Sequence, residues 1–344
     1  MTGDEQNTVA AARAGDAAAF TRLVERHRRE LQLHCYRMVG SLDDSEDLVQ
    51  ETFLRAWRSR TSFGFNGRWS FRAWLYRIAT NACFDVLART PRRVLASQLG
   101  PPSDADAPIQ PPADLPWLGP YPDRLLDGLA PPDTQPDLAV VARETIEIAF
   151  LAAIQLLTPK QRAVLILRDV LAWSAKDTAA LLDTSVASVN SALQRARATL
   201  ERHLPRRRLE WDSTADPSAE ERVVLQRFMD AFERADVGAL AAVLREDARA
   251  NMPPYPMWHD GRHTIVTSVA KAFDPASPAY LGEWRVVEAH ANLQPSAAFY
   301  VRRPGEGEFR AFALDLLRIE DGGVAEITSF PADVFEAFGL PPVL

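Results

Sequence analysis

The chain has 344 residues, 47% of them apolar, and a net charge of −7, which is length for two or three domains of ordinary globular composition. Its two cysteines, Cys35 and Cys83, stand far apart without metal-ligand spacing, so a disulfide scaffold is excluded and no metal site is expected. No stretch approaches the ~18 continuous apolar residues of a membrane span and the acidic N-terminus lacks an apolar signal core, so a cytoplasmic protein with no membrane partner is expected.

Charge is unevenly distributed. Residues 1–93 carry 15 basic and 11 acidic side chains, and residues 143–210 carry 11 and 7. Residues 94–142 hold one arginine against seven acids, and residues 211–344 hold 12 basic against 21 acidic groups. Two basic blocks thus alternate with two acidic ones, and a basic excess fits nucleic acid as well as an ordinary surface.

Residues 15–90 read as helical, interrupted only near 61–70. In "SLDDSEDLVQETFLRAW" (41–57) Ser41 and Asp44 have the spacing of a helix cap. At 100° per residue Val49, Phe53, Ala56 and Trp57 gather on one side, while Asp44, Asp47, Glu51, Arg55 and Arg58 line another. The first side must be core; the second is either a solvated face or a docking surface. The loop "TSFGFNGRWS" then sets Phe63, Phe65 and Trp69 beside Arg68. Aromatic faces stack on unpaired bases and arginine attracts phosphate, although the same aromatics could anchor the loop in the core. A further helix, "FRAWLYRIATNACFDVLAR", covers 71–89.

From 90 to 137 the chain turns proline-rich and acidic and reads as a tether. Its "WLGPYPDRLLDGL" is more apolar than a spacer requires. Helices resume in "LTPKQRAVLILRDVLAWSAKDTAALLDTSVASVNSALQRARATLER" (157–202), with cap signals at Thr158, Ser174 and Ser185 and only Asp183-Thr184 between the last two helices. That is the helix-turn-helix layout, whose last helix enters the major groove in DNA-binding proteins, although an αα-hairpin of this kind is as often a plain structural unit. Val186, Val189 and Leu193 are expected to face inward. Ser188, Asn190, Ser191 and Gln194 are left to read base edges, and Arg195 and Arg197 to reach phosphates. After about 218 the pattern becomes helical to 244 and then alternating, in "EWRVVEAHANL", "SAAFYVRR", "FRAFALDLLRI" and, past the turn Asp321-Gly322-Gly323, "VAEITSF".

"SEDLVQETFLRAW", the helix at 71–89 and the 157–197 stretch together resemble the sigma-70 superfamily, in particular the extracytoplasmic-function (ECF) sigma factors. The resemblance implies that residues 41–57 bind the β′ clamp helices of RNA polymerase, with Asp47, Gln50 and Glu51 in contact, and that core polymerase, including its β subunit, is a partner. It implies that Phe65, Asn66, Gly67, Arg68, Trp69 and Ser70, with Asn81, hold an unpaired base of the promoter −10 element. Ser188, Asn190, Ser191, Gln194, Arg195 and Arg197 would contact the −35 element. Many members carry lysine or arginine at the base-reading positions where this chain has Asn190 and Ala192, and the linker exceeds that of the shortest members.

The tail, through "RFMDAFERADVGALAAVLREDARANMPPYPMWHDGRHTI", "AHANLQPSAAFYVRR" and "RIEDGGVAEITSFPADVFEAFGLPP", resembles a SnoaL-like domain of the NTF2 superfamily, a curved sheet around a cone-shaped cavity. Tyr255, Trp258, His259, His290, Asn292 and Asp315 are its candidate lining for a small-molecule ligand, with no catalytic role, cofactor or metal assigned. The expected fold class is thus multidomain: two all-α sigma modules (1–93 and 138–207) joined by an acidic linker (94–137), then an α+β NTF2-like cone (218–344). The function implied is that of a non-enzymatic promoter-specificity subunit modulated in cis by its tail. Two readings remain open beside it: a ligand-sensing helix-turn-helix regulator acting without core polymerase, and a cavity enzyme, isomerase or hydrolase, with accessory DNA binding.

Overall fold

The computed structural model describes residues 3–61, 70–126, 146–204 and 219–344. Those residues divide into two compact units. One holds the chain up to Arg92, Leu125 and Leu126, and residues 149–204; the other holds Arg93–Arg124, Ile146–Ile148 and residues 219–344.

The first unit is all helical. Its helices are α1 (Gly3–Ala14), α2 (Ala17–Glu25), α3 (Arg28–Val39), α4 (Leu42–Arg58), α5 (Phe71–Leu87), α6 (Ile148–Ile154, whose first residue belongs to the second unit), α7 (Pro159–Leu165), α8 (Ala175–Leu181) and α9 (Val186–His203), with α7 running on into a π-helical turn at Ile166–Val170. The starts follow the sequence signals. Ser41 Oγ accepts from Asp44 N (3.3 Å), Ser70 Oγ from Ala73 N (3.1 Å), Ser174 Oγ from Asp177 N (3.0 Å) and Ser185 Oγ from Ser188 N (3.1 Å). Thr158 and Gln161 cap each other reciprocally, with Pro159 in the first turn. Gly40 ends α3 in the left-handed region (φ 74°), where a side chain would be strained.

The two helical modules are not independent. Leu31, Cys35, Met38, Leu48, Val49, Leu75, Tyr76 and Ala79 form one continuous core with Ala163, Ile166, Leu167, Val170 and Leu181. Arg162, 2% exposed, is buried beside that core. Its guanidinium donates to the carbonyls of Ile154 (2.9 Å), Gln155 (3.1 Å) and Leu157 (3.3 Å), to Gln155 Oε1 (2.7 Å) and to the Met38 carbonyl at the end of α3. Five neutral acceptors thus replace water around one cation, and burial pulls its pKa down to about 10, so it stays charged at neutral pH.

In the second unit α10 (Ala219–Glu233) and α11 (Val237–Val243) precede a six-stranded sheet. It comprises β1 (Leu244–Asn251), β2 (Trp258–Asp260), β3 (Glu283–Ala291), β4 (Gln294–Arg302), β5 (Arg310–Glu320) and β6 (Gly323–Pro331), with α12 (Arg262–Phe273) after β2 and α13 (Phe335–Phe338) at the end. Strand order is β2-β1-β6-β5-β4-β3, antiparallel except for the β1–β6 pair. The expected Asp321-Gly322 turn closes β5–β6, with both residues at positive φ. One face of the sheet packs Trp284, Val286, Ala297, Phe299, Leu317 and Ile327 against Val224, Phe228 and Phe232 of α10. Side chains alternate along strands, so Asn251, Thr328, Leu316, Ser296 and Ala298 lie on the opposite face. They are buried too.

The proline-rich segment 93–124 packs within this unit instead of hanging free. Val94 bridges to Trp117, Ser97 N donates to Asn251 Oδ1 (2.9 Å), Ser103 N to the Trp258 carbonyl (2.8 Å) and Ala113 N to the Pro254 carbonyl (3.0 Å). Leu118 and Tyr121 are wholly buried. A tether was expected from the composition; ordered backbone partners and the apolar "WLGPY" core account for the difference.

Candidate functional site

On α4, Asp47 and Gln50 are exposed, Glu51 is half-exposed and Leu54 is 50% exposed. These four follow an i, i+3, i+4, i+7 spacing, so they share one face. Ser45, Leu48, Val49, Thr52 and Ala56 hold the opposite side in the core. An exposed leucine amid acids is what a solvated stripe does not need. Sequence reading missed Leu54, whose signal was its place in register with Asp47 and Gln50. Glu51 is ion-paired to Arg55 (2.6 Å), which also reaches Asp85 on α5 (2.7 Å). Asp85 lies one turn beyond Asn81, which is exposed, so the acidic face of α4 is tied to the helix carrying Asn81. Ser70 caps α5; Phe65, Asn66, Gly67, Arg68 and Trp69 lie outside the described residues.

In the helix-turn-helix, Asp183 takes positive φ (50°) in the turn between α8 and α9. Asn190, Ser191, Gln194 and Arg195 are exposed and Ser188 is half-buried at the cap. Two placements differ from expectation. Val186 faces solvent (43% exposed), because it is the first residue of the helix and no neighbouring turn covers it. Ala192 is buried (4%), so the core takes Val189, Ala192, Leu193 and Ala196. Arg197 is held in a fork by Asp169 (2.9 and 2.7 Å), which raises its pKa through those hydrogen bonds and leaves Arg195 the less encumbered cation.

Of the six residues proposed for a cavity, the strand register puts His259, His290 and Asp315 on one face of the sheet and Trp258 on the other, while Tyr255 and Asn292 lie in turns. Trp258 pairs with Asn251 and His259 with Ala250 in register, so their side chains take opposite faces of the sheet. Both hold the proline-rich segment 93–124, here the strap: Trp258 Nε1 donates to the Gly100 carbonyl (2.9 Å), and His259 Nδ1 lies 3.2 Å from the Ser103 carbonyl. His290 is exposed and Tyr255 half-buried. Asn292, fully buried at positive φ (55°) in the β3–β4 turn, is a two-sided clamp. Its Oδ1 accepts from Tyr121 N (2.7 Å), its own N–H donates to the Tyr121 carbonyl (2.9 Å), and its Nδ2 donates to the Ile146 carbonyl (2.6 Å). Gln294 adds an acceptor for Ile148 N (2.9 Å). Asp315 alone is a buried acid; burial pushes its pKa up to about 7 against a hydrogen bond with Ser329.

Comparisons with known proteins agree with this arrangement. The sigma-70 region 2 family matches residues 23–93, sigma-70 region 4 matches 147–200, and the SnoaL-like domain matches 225–327. The ECF RNA polymerase sigma factor SigG of Mycobacterium tuberculosis H37Rv is 41% identical over 335 residues, 96% of this chain and 86% of the relative. SigW of Bacillus subtilis 168, also an ECF RNA polymerase sigma factor, is 31% identical over 55% of this chain and 91% of its own length. The crystal structure of the M. tuberculosis ECF sigma factor SigJ shares the fold over 94% of this chain and 99% of that one, with a TM-score of 0.58 at 21% identity. Two helical sigma modules followed by an NTF2-like α+β domain define a sigma-70-type transcription initiation factor, not an enzyme. The chain belongs to the ECF RNA polymerase sigma factors and carries a C-terminal SnoaL-like domain. Sigma factors bind core RNA polymerase and promoter DNA, which removes the polymerase-independent regulator and the cavity enzyme as readings. Among the described residues no helix is long and apolar enough to cross a membrane.

Proposed function

We propose that this sigma factor docks on the β′ clamp helices of core polymerase through the α4 face of Asp47, Gln50, Glu51 and Leu54, in the cytoplasm where that enzyme works. The observation that carries the reading is the exposed Leu54 set among acids on a face the protein's own core does not use. Ser70 and Asn81, with the loop before them, take the unpaired −10 base, and α9 reads the −35 element, with region 4 resting on the β subunit. The SnoaL-like domain regulates in cis by holding the 93–124 strap and, through Asn292, residues that lead into region 4. A small molecule acting on that domain would do so by changing its grip on the strap. Transcription reconstituted from core polymerase and the full-length protein tests the assignment: promoter-dependent transcripts are expected with wild type and not with Asp47→Lys/Leu54→Asp, and equal activity of that variant would overturn the docking face.

A further inference from the structure

The outward face of α9 is unusual in what it lacks. At 100° per residue, Val186, Asn190, Gln194, Ala187 and Ser191 fall within an arc of about 140°, and all five are exposed. None is basic. Arg197, at about 20° by the same count, falls within that arc but about three turns beyond Val186, and is engaged bidentately by Asp169, and Arg195 lies about 40° outside the arc, suited to backbone phosphate. The commonest guanine reader, an arginine or lysine forked onto O6 and N7, is therefore missing from the centre of the face. Two features stand in its place: the amides of Asn190 and Gln194, which match the N6/N7 edge of adenine, and the apolar pair Val186 and Ala187 at the first turn. The N-cap hydroxyl of Ser185 accepts from Ser188 N and is held at the cap, so the side chains that turn adds beyond it, Val186 and Ala187, offer bases hydrocarbon.

We infer that the upstream promoter element read by α9 is built on A·T pairs, with thymine C5-methyl groups packed against Val186 and Ala187 and adenine edges paired to Asn190 or Gln194. The inference rests on the assignment of α9 as the −35 reader. The major groove presents one apolar group per T·A pair, the thymine methyl, and a helix entering by its N-terminal turns sets its first residues against the base edges. Val186 is 43% exposed, and covering it with a methyl withdraws from water apolar area that the described residues leave open.

The test uses the full-length protein with core polymerase on a promoter library randomised upstream of a fixed −10 region. Selection should return A·T pairs at adjacent upstream positions. Replacing the selected thymines one at a time by uracil, which deletes the methyl alone, should weaken wild-type binding about four-fold at one or two positions, as expected for one methyl group leaving water. The Val186→Ser variant should show no uracil penalty at the position it contacts. It should melt as wild type does, since Val186 lies outside the core. Selection of guanine or cytosine at those positions, or indifference of the wild type to uracil while upstream selection persists, would overturn the inference but leave the −35 assignment standing. Selection that persists unchanged when Asn190, Gln194 and Val186 are all replaced by alanine would remove α9 as the reader and the inference with it.

Discussion

Arg162 is a cation buried without a carboxylate, satisfied by four backbone carbonyls and one side-chain amide. Removing it strands those acceptors, each costing about 1–3 kcal/mol when unpaired. Arg162→Met is thus expected to lower the stability of the helical unit by about 3 kcal/mol or more in urea unfolding, and Arg162→Lys to rescue little, because one ammonium cannot span the fork. Asp315 shows the opposite economy. Burial favours its acid form, so as pH rises from about 4 the unfolded chain gives up its proton first and the fold loses stability. The loss accumulates until the folded group itself ionises near pH 7, reaching as much as about 4 kcal/mol at 1.36 kcal/mol per pH unit. Asp315→Asn should therefore gain stability at pH 8 and change little at pH 4. Chemical unfolding of the SnoaL-like domain at both pH values checks this, and an equal gain at both would show that burial of the charge is not the cause.

At the level of elements, α4 invites charge reversal. Asp47→Lys/Glu51→Lys should weaken core binding in a competition assay while shifting stability by less than about 0.5 kcal/mol for the exposed Asp47 site. Loss of the half-exposed Glu51–Arg55 pair adds no more than about 1 kcal/mol. Unchanged affinity would point to a different face. This helix was legible in the sequence because cap, apolar stripe and acidic stripe all agree. The same is true of α7 to α9, where caps mark each helix, and of β3 to β6, where alternation or a strand-length apolar run bounded by turn residues marks each strand. β1 and β2 were not legible: "LREDARAN" puts charges on its solvent positions and joins the sheet by a parallel pairing that no local pattern announces. Val186 was placed inward because its spacing from Val189 and Leu193 fits a buried stripe, although the first turn of a helix has nothing above it to bury against. Asn292 looked like a cavity residue because its partners, Tyr121 and Ile146, lie 171 and 146 residues away in sequence.

For the whole molecule the question is how the two sigma modules reach a promoter. The −10 and −35 elements are roughly 25 base pairs apart, about 85 Å at ~3.4 Å per pair, whereas regions 2 and 4 here share one core and are joined by Arg162 to the Met38 carbonyl. They must part to engage both elements, and the chain between them must be free to extend. Residues 93–124 are instead strapped to the SnoaL-like domain, and Asn292 fastens both Tyr121 and Ile146. Asn292→Asp separates the two grips: the acid keeps an acceptor for Tyr121 N but has no donor for the Ile146 carbonyl. Losing that buried bond should favour the open state by about 1–3 kcal/mol, on the order of 5- to 150-fold in the open-to-closed ratio. Transcription at limiting core polymerase should rise with Asn292→Asp, and rise further when the chain is ended at Pro205, which removes the domain that holds the strap. A fall in both would show that the domain assists the sigma modules. If both proteins transcribe as the wild type does across core and promoter concentrations, the strap does not regulate, and Asn292 serves only to fold its own domain.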